Sequence, residues 1–318
     1  MNHGRIHQTV RRDPRGSARG ACRRRVLSLA AWTIVAIAAV PTGTHAQTPP
    51  DTEIFLVELE ADGSPLPASI VNITRREGYD NQPAFTSDGE SILYTSRRED
   101  QTDIYRYSLS DRSTRRVTRT SESEYSPTPL PAGTGFSVVR VEPDSTQRLW
   151  RFSSNGTNPG LLLPDIEPVG YHAWVDEGTV ALFVLAQPPT LRIARLLDGG
   201  SELHAQGIGR SLHAVPGRRA ISFVSKRDET DWWIEILDLE TREIVPLAPT
   251  MEGAEDYVWT TDGTILMGSG SSLYALRSGA SGWHPVADFA GAGLDQITRL
   301  AVSPDGRRLA VVALQISR

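Results

Sequence analysis

The sequence predicts an all-β protein, a six-bladed β-propeller in which one blade is shared between N- and C-terminal strands. Three observations carry this expectation. From residue 51 onward, short runs alternate apolar with polar residues, and no stretch has the 3.6-residue period of an amphipathic helix. Two strand-pair patterns each recur six times, at a period of roughly 40–45 residues, the length of a four-stranded propeller blade. The two patterns are also out of phase, so the chain starts on one and ends on the other.

In chain order, the first 46 residues stand apart. Eight arginines and one acid, Asp13, precede an apolar run from Val26 to Val40, and Pro41 leads into Thr44-His45-Ala46. A basic region, an apolar region and a small-x-small site in that order read as a secretory signal cleaved near Ala46. The apolar run is short of the ~20 residues that span a bilayer. The expectation is a periplasmic or secreted protein with no membrane span in the mature chain. Residues 47–318 are expected to form a single propeller domain. The signal carries a net +7, so its removal takes the chain from −5 to −12. Such an acidic product is a poor match for nucleic acid or anionic lipid. The single cysteine, Cys22, leaves with the signal, and thiol or disulfide chemistry leaves with it.

The first recurring pattern is a strand with an apolar anchor usually followed by an aromatic. It is seen in Thr52-Glu53-Ile54-Phe55, Thr102-Asp103-Ile104-Tyr105, Gln147-Arg148-Leu149-Trp150, Thr230-Asp231-Trp232-Trp233 and Ser271-Ser272-Leu273-Tyr274, with a weaker copy at Thr190-Leu191-Arg192. The aromatics are expected to pack between blades, with one of the Trp232–Trp233 pair turned to the opposite face. The second pattern is a hairpin around a turn glycine, at Gly89, Gly133, Gly178, Gly217, Gly263 and Gly306. Asp-Gly between alternating strands is a strong hairpin signal, because glycine takes the positive φ that a tight turn needs. Asp88, Asp262 and Asp305 are therefore turn residues, not catalytic acids. The closing hairpin, 299–313, lacks outer strands of its own. Strands at 52–59 and about 70–74 are expected to complete its blade and hide the exposed edges.

The repeats FTSDGESILYTS, WTTDGTILMGS and VSPDGRRLAVVA, with DIYRYSL as a following strand, resemble the TolB-like, WD40-like (PD40-type) propeller family. They are also similar to the propeller domains of tricorn and prolyl-oligopeptidase-type peptidases. The resemblance implies a six-bladed fold and, by analogy with TolB, a protein-binding role in a bacterial envelope. TolB carries a separate N-terminal α/β domain that is not expected here, and the peptidases need a hydrolase domain and a Gly-x-Ser-x-Gly elbow that the sequence lacks.

Function has to come from a site, because a propeller hosts many. The segments preceding each innermost strand should gather at the channel mouth, where residues from all six blades meet. They supply the candidate binding residues Asp80, Gln82, Glu124, His172, Arg210, His213 and Asp256. No catalytic residue, metal ligand or cofactor is assigned. The expected function is a non-catalytic module or scaffold holding a protein or peptide partner, most simply as a monomer. The alternative is a metal-dependent hydrolase or lactonase using His172 and His213, read as equivalent positions in adjacent blades, with mouth carboxylates. Against it, each histidine can equally bond a neighbouring blade. Charge reversal of Asp80 and Glu124 is expected to weaken capture at little cost in stability.

Overall fold

A computed structural model describes residues 49–316. The signal segment lies outside the described residues. Blade 1 contains strands Asp80–Phe85, Ser91–Arg98, Gln101–Ser108 and Thr114–Arg116; blade 2 contains Ser123–Pro129, Gly135–Val141, Gln147–Ser153 and Gly160–Leu162. Blade 3 is Val169–Asp176, Thr179–Val184, Thr190–Arg195 and Ser201–Gln206. Blade 4 is Ile208–Ala214, Ala220–Lys226, Trp232–Asp238 and Ile244–Pro249. Blade 5 is Tyr257–Trp259, Ile265–Ser269, Ser272–Leu276 and His284–Asp288. Every neighbouring pair within a blade is antiparallel, and the first strand of each lines a central channel.

The sixth sheet joins the two ends of the described chain. Leu300–Val302 and Arg308–Gln315 form its hairpin, and Glu53–Leu59 pairs with Arg308–Gln315 from Glu53–Ala313 to Glu58–Arg308. Pro65–Asn72 follows as the outer strand, earlier than the expected 70–74. A tight turn brings it in early: Glu60 N–H donates to Ser64 C=O (2.9 Å), and Gly63 adopts φ 76°. Pro65 and Pro67 are tolerated because an outer strand has one unpaired side.

The apolar alternation buries side chains between blades. Ile54, Ala310 and Val312 of blade 6 pack against Phe85, Ile92, Tyr94 and Tyr105 of blade 1. Leu93 and Ile104 of blade 1 pack against Phe136, Val138 and Phe152 of blade 2. The turn aspartates behave as the hairpin chemistry requires. Asp88 accepts from the Thr86 hydroxyl (2.6 Å) and Glu90 N–H (2.9 Å), and Asp305 from the Ser303 hydroxyl (2.6 Å) and Arg307 N–H (3.0 Å).

One repeat assignment is corrected. In blade 4 the residue aligned with Ile104, Leu149 and Leu273 is the fully buried Ile234, paired with Val224, rather than Trp232. Trp232 and Trp233 stand two residues earlier, half-buried at the mouth-side rim, with Lys226 over the first ring (3.9 Å) and Arg227 over the second (4.6 Å).

Candidate functional site at the channel mouth

The innermost strands enclose a cavity of about 390 Å³ reached from the mouth. In every blade the residue seven before the turn glycine lines it: Gln82, Ser126, Tyr171, Arg210, Asp256 and Arg299. Gln82 and Ser126 occupy positive φ (55° and 53°) at register shifts in blades 1 and 2. The Gln82 amide oxygen accepts from Thr95 Oγ1 (2.8 Å) and Ser126 N–H (2.9 Å), which stitches these two blades together beside the cavity.

The centre of charge is Asp256. It accepts from Arg210 through Nε (3.2 Å) and Nη2 (2.5 Å) and from the Ser211 hydroxyl (3.3 Å), while Arg299 Nε stands 3.1 Å away. Burial works to raise the Asp256 pKa. The charge of Arg299 and the bonds and charge of Arg210 outweigh it, holding the carboxyl below its ordinary value. Glu255 lies just outside, accepting Arg210 N–H (3.1 Å) and pairing with Lys226 Nζ (3.0 Å). Its carboxylate sits over Gly209, where a Cβ would come within 2.5 Å of Oε2, so the missing side chain makes room for it. Arg299 Cζ lies 4.5 Å from the centre of the Tyr171 ring. The Tyr79 hydroxyl is pushed up by burial, with Tyr171, Arg299, Tyr125 and Arg210 close enough to act on it. Tyr171, Arg210 and Arg299 thus line the cavity from three blades, and Tyr79 and Tyr125 line a separate recess close by.

The sequence-derived candidates divide into two groups. Gln82, His172, Arg210, His213 and Asp256 line the cavity; Asp80 and Glu124 do not. Both carboxylates are fully buried at the entry of their blades. Asp80 pairs with Arg76 (3.1 Å), and burial raises its pKa. Glu124 accepts from the Thr120 hydroxyl and lies 3.7 Å from Arg140 Nε; burial pushes it up to about 7. Reversing either charge strands it in the interior. The expectation of little cost in stability therefore fails.

The two histidines are not equivalent. His172 stands two residues before Trp174, which pairs with Val180, whereas His213 stands one before the counterpart of Trp174, Ala214, which pairs with Ile221. A one-residue offset reverses the side of the strand. His172 Nε2 lies 2.7 Å from Ser137 Oγ of blade 2, and Trp174 Nε1–H donates to the same hydroxyl (2.9 Å). Ser137 in turn donates to Thr128 C=O (3.2 Å), so the hydroxyl's own bonding is complete when His172 is neutral and protonated on Nε2, while His172 Nδ1 stays buried without a partner. Burial accordingly pushes its pKa down to about 3. Blades 4 and 5 repeat the device: Tyr257 O–H and Trp259 Nε1–H both donate to Ser222 Oγ (2.8 Å each), which donates to His213 C=O (3.3 Å). His213 instead faces the next blade, its ring 4.7 Å from that of Tyr257, and burial followed by the Arg299 charge lowers it to about 4.

Among solved structures, the chain is similar to one from Agrobacterium tumefaciens described provisionally as TolB. The TM-score is 0.67 at 14% identity, over 84% of this chain and 99% of that one. The fold is that of a TolB-like propeller. TolB from Acinetobacter baumannii aligns at TM-score 0.55 and 12% identity, with 84% of this chain covering 65% of that longer one. An oligogalacturonate lyase in complex with manganese aligns at TM-score 0.55 and 16% identity, over 86% of this chain and 95% of that one. Identities this low speak of fold alone. No family model matches the sequence, and none of the curated proteins does. Among the described residues, no helix of this TolB-like propeller is long and apolar enough to cross a membrane.

Arg299, Tyr171, Tyr79 and Glu255 complete the mouth beyond the candidates drawn from sequence. Arg299 was within reach. Counting seven back from Gly306, as Gln82 is seven before Gly89 and Asp256 seven before Gly263, lands on it.

Proposed function

We propose that this chain is an exported, non-catalytic binding module of the bacterial envelope that holds a protein or peptide partner at its channel mouth. The observation that carries this reading is the gathering of Tyr171, Arg210 and Arg299 from three blades in one cavity, with Tyr79 and Tyr125 lining a separate recess close by. Tyrosine and arginine are enriched among residues that dominate interface energy, since both offer large contact area with polar tips. The TolB-like fold supports the same role by analogy. The metal-hydrolase alternative loses its ligand pair, because His172 turns to Ser137 of the preceding blade and His213 to Tyr257 of the following one. Among the described residues, no three His, Cys, Asp or Glu side chains stand together as a ligand set.

Site-directed photocrosslinking in cells tests the reading. A benzoylphenylalanine at Tyr171 should trap a discrete protein or peptide adduct. The same group at Leu197, which is 98% exposed on the turn joining the outer strands of blade 3 opposite the mouth, should not. An adduct at position 197 without one at 171 would move the site to the other face.

A further inference from the structure

Arg299 differs from every other charged side chain at the mouth. It belongs to blade 6, yet its guanidinium packs on Tyr171 of blade 3, on the far side of the six-membered ring. It therefore bridges the channel. Its side chain is only 18% exposed, and its one ion pair, with Asp256, is a contact of charges: no hydrogen bond joins them. Beyond that 3.1 Å contact of Nε with Asp256, its guanidinium N–H groups reach no acceptor among the described residues. None of its nitrogens is sealed from solvent, so the donors that face the channel are open to an incoming acceptor.

The surrounding charge points the same way. Among the described residues Arg210, Arg299 and Lys226 form their ion pairs only with Asp256 and Glu255, Arg210 takes the bidentate side of Asp256, and Glu252, which lines the recess beside them, pairs with none of the three. Within the paired cluster the cations outnumber the carboxylates three to two, and Arg299 is the cation with the fewest partners. The two histidines that line the cavity, His172 and His213, are held neutral by burial and add none.

We propose that the mouth binds a carboxylate on the guanidinium of Arg299, stacked on Tyr171 within the channel cavity. A planar monoanion matches the fork of two parallel N–H groups. A phosphate dianion suits the place less well, since Asp256 and Glu255 lie beside it and one excess positive charge would not balance two. The inference rests on the partner-binding reading and narrows it: the partner presents either a chain-terminal carboxylate or an acidic side chain.

The test is calorimetric titration of the purified full-length mature protein at low salt with three probes. These are N-acetyl-trialanine as the free acid, the same peptide as its C-terminal amide, and N-acetyl-Ala-Asp-Ala amide. Binding of the free acid but not its amide is expected, with Arg299→Gln weakening it by about 10-fold or more, the scale of a lost charge-assisted bond. Should Arg299→Gln fail to fold, Arg299→Lys decides, because it keeps the charge facing Asp256 but loses the fork and should still weaken binding several-fold. Binding of the aspartyl peptide as well assigns a side-chain carboxylate; binding of the free acid alone assigns a chain terminus. Equal binding of the neutral amide, no binding of either acid, or a folded Arg299 variant that binds unchanged overturns the proposal. Amide binding together with a crosslink at Tyr171 leaves partner capture standing and removes only the carboxylate. Carboxylate binding without that crosslink does the reverse.

Discussion

Ser222→Ala isolates the bonds that join blades 4 and 5. Ser222 is fully buried and accepts from Tyr257 O–H and Trp259 Nε1–H, at 2.8 Å each. Alanine leaves both donors without their acceptor and adds nothing in exchange. A buried donor left unpaired costs about 1–3 kcal/mol. Tyr257 is 1% exposed and bears that cost in full, whereas half-buried Trp259 recovers part of it from water. The sum is about 2–4 kcal/mol, which for a domain of this size lowers Tm by about 4–12 °C. Differential scanning calorimetry measures the shift, and a double-mutant cycle with Tyr257→Phe apportions it. Removing the tyrosine hydroxyl removes one orphan, so the double variant should lose about 1 kcal/mol less than the sum of the singles. Ser137→Ala, which strands Trp174 and His172 in the same way, should cost at least as much because both are buried. A Tm within about 1 °C of the parent for both serine variants, or a strictly additive cycle, would refute the account of these serines as shared acceptors.

Two further outcomes follow from buried groups elsewhere in the ring. Glu124, pushed up by burial to about 7, holds its proton in the folded state where the unfolded chain has lost it. Its contribution therefore favours folding at low pH and is lost as pH rises from the ordinary glutamate value to about 7. Glu124→Gln should flatten that fall by on the order of 1–3 kcal/mol between pH 5 and pH 8 in denaturant titrations, and an unchanged slope would show that the carboxyl is ionised throughout. Phe55, 2% exposed on the strand that joins the first described segment to Arg308–Gln315, packs with Val57, Leu309 and Val311. Phe55→Ala should cost about 3–5 kcal/mol by guanidinium unfolding, and a cost below about 1 kcal/mol would mean that blade 6 holds without this strand.

The repeat made most of the architecture legible. Turn glycines recur because every hairpin needs the same backbone geometry, and their spacing alone brings Gln82, Arg210 and Asp256 to the cavity. The same counting finds Ser126, Tyr171 and Arg299. The misreadings have a common cause, a local change in register that composition does not reveal. In blade 4 the loop between the second and third strands, Arg227–Asp231, displaces the tryptophan pair from the anchor position that Ile234 fills. His172 and His213 resemble each other in the string of letters, yet a one-residue difference in where the hairpin pairs turns them to different neighbours. Asp80 and Glu124 lie at the start of their strands, paired with Ser96 and Arg140, rather than ahead of them, and the bulges at Gln82 and Ser126 turn the chain so that those later residues, not the carboxylates, meet the cavity.

By itself the sequence determined the all-β class, the six hairpins and the phase offset that pairs Glu53–Leu59 with Arg308–Gln315, since each depends on local periodicity and turn chemistry repeated around the ring. Only the tertiary structure decided which charges are spent and which are free. Ser137 and Ser222 are ordinary strand residues until a neighbouring blade brings two donors to each. Arg299 is one of many arginines until ring closure carries it across the channel to Tyr171 and leaves its donors unbonded. Strand formation follows from neighbours along the chain. The state of a charge at the mouth follows from neighbours on other blades, and ring closure alone brings those together.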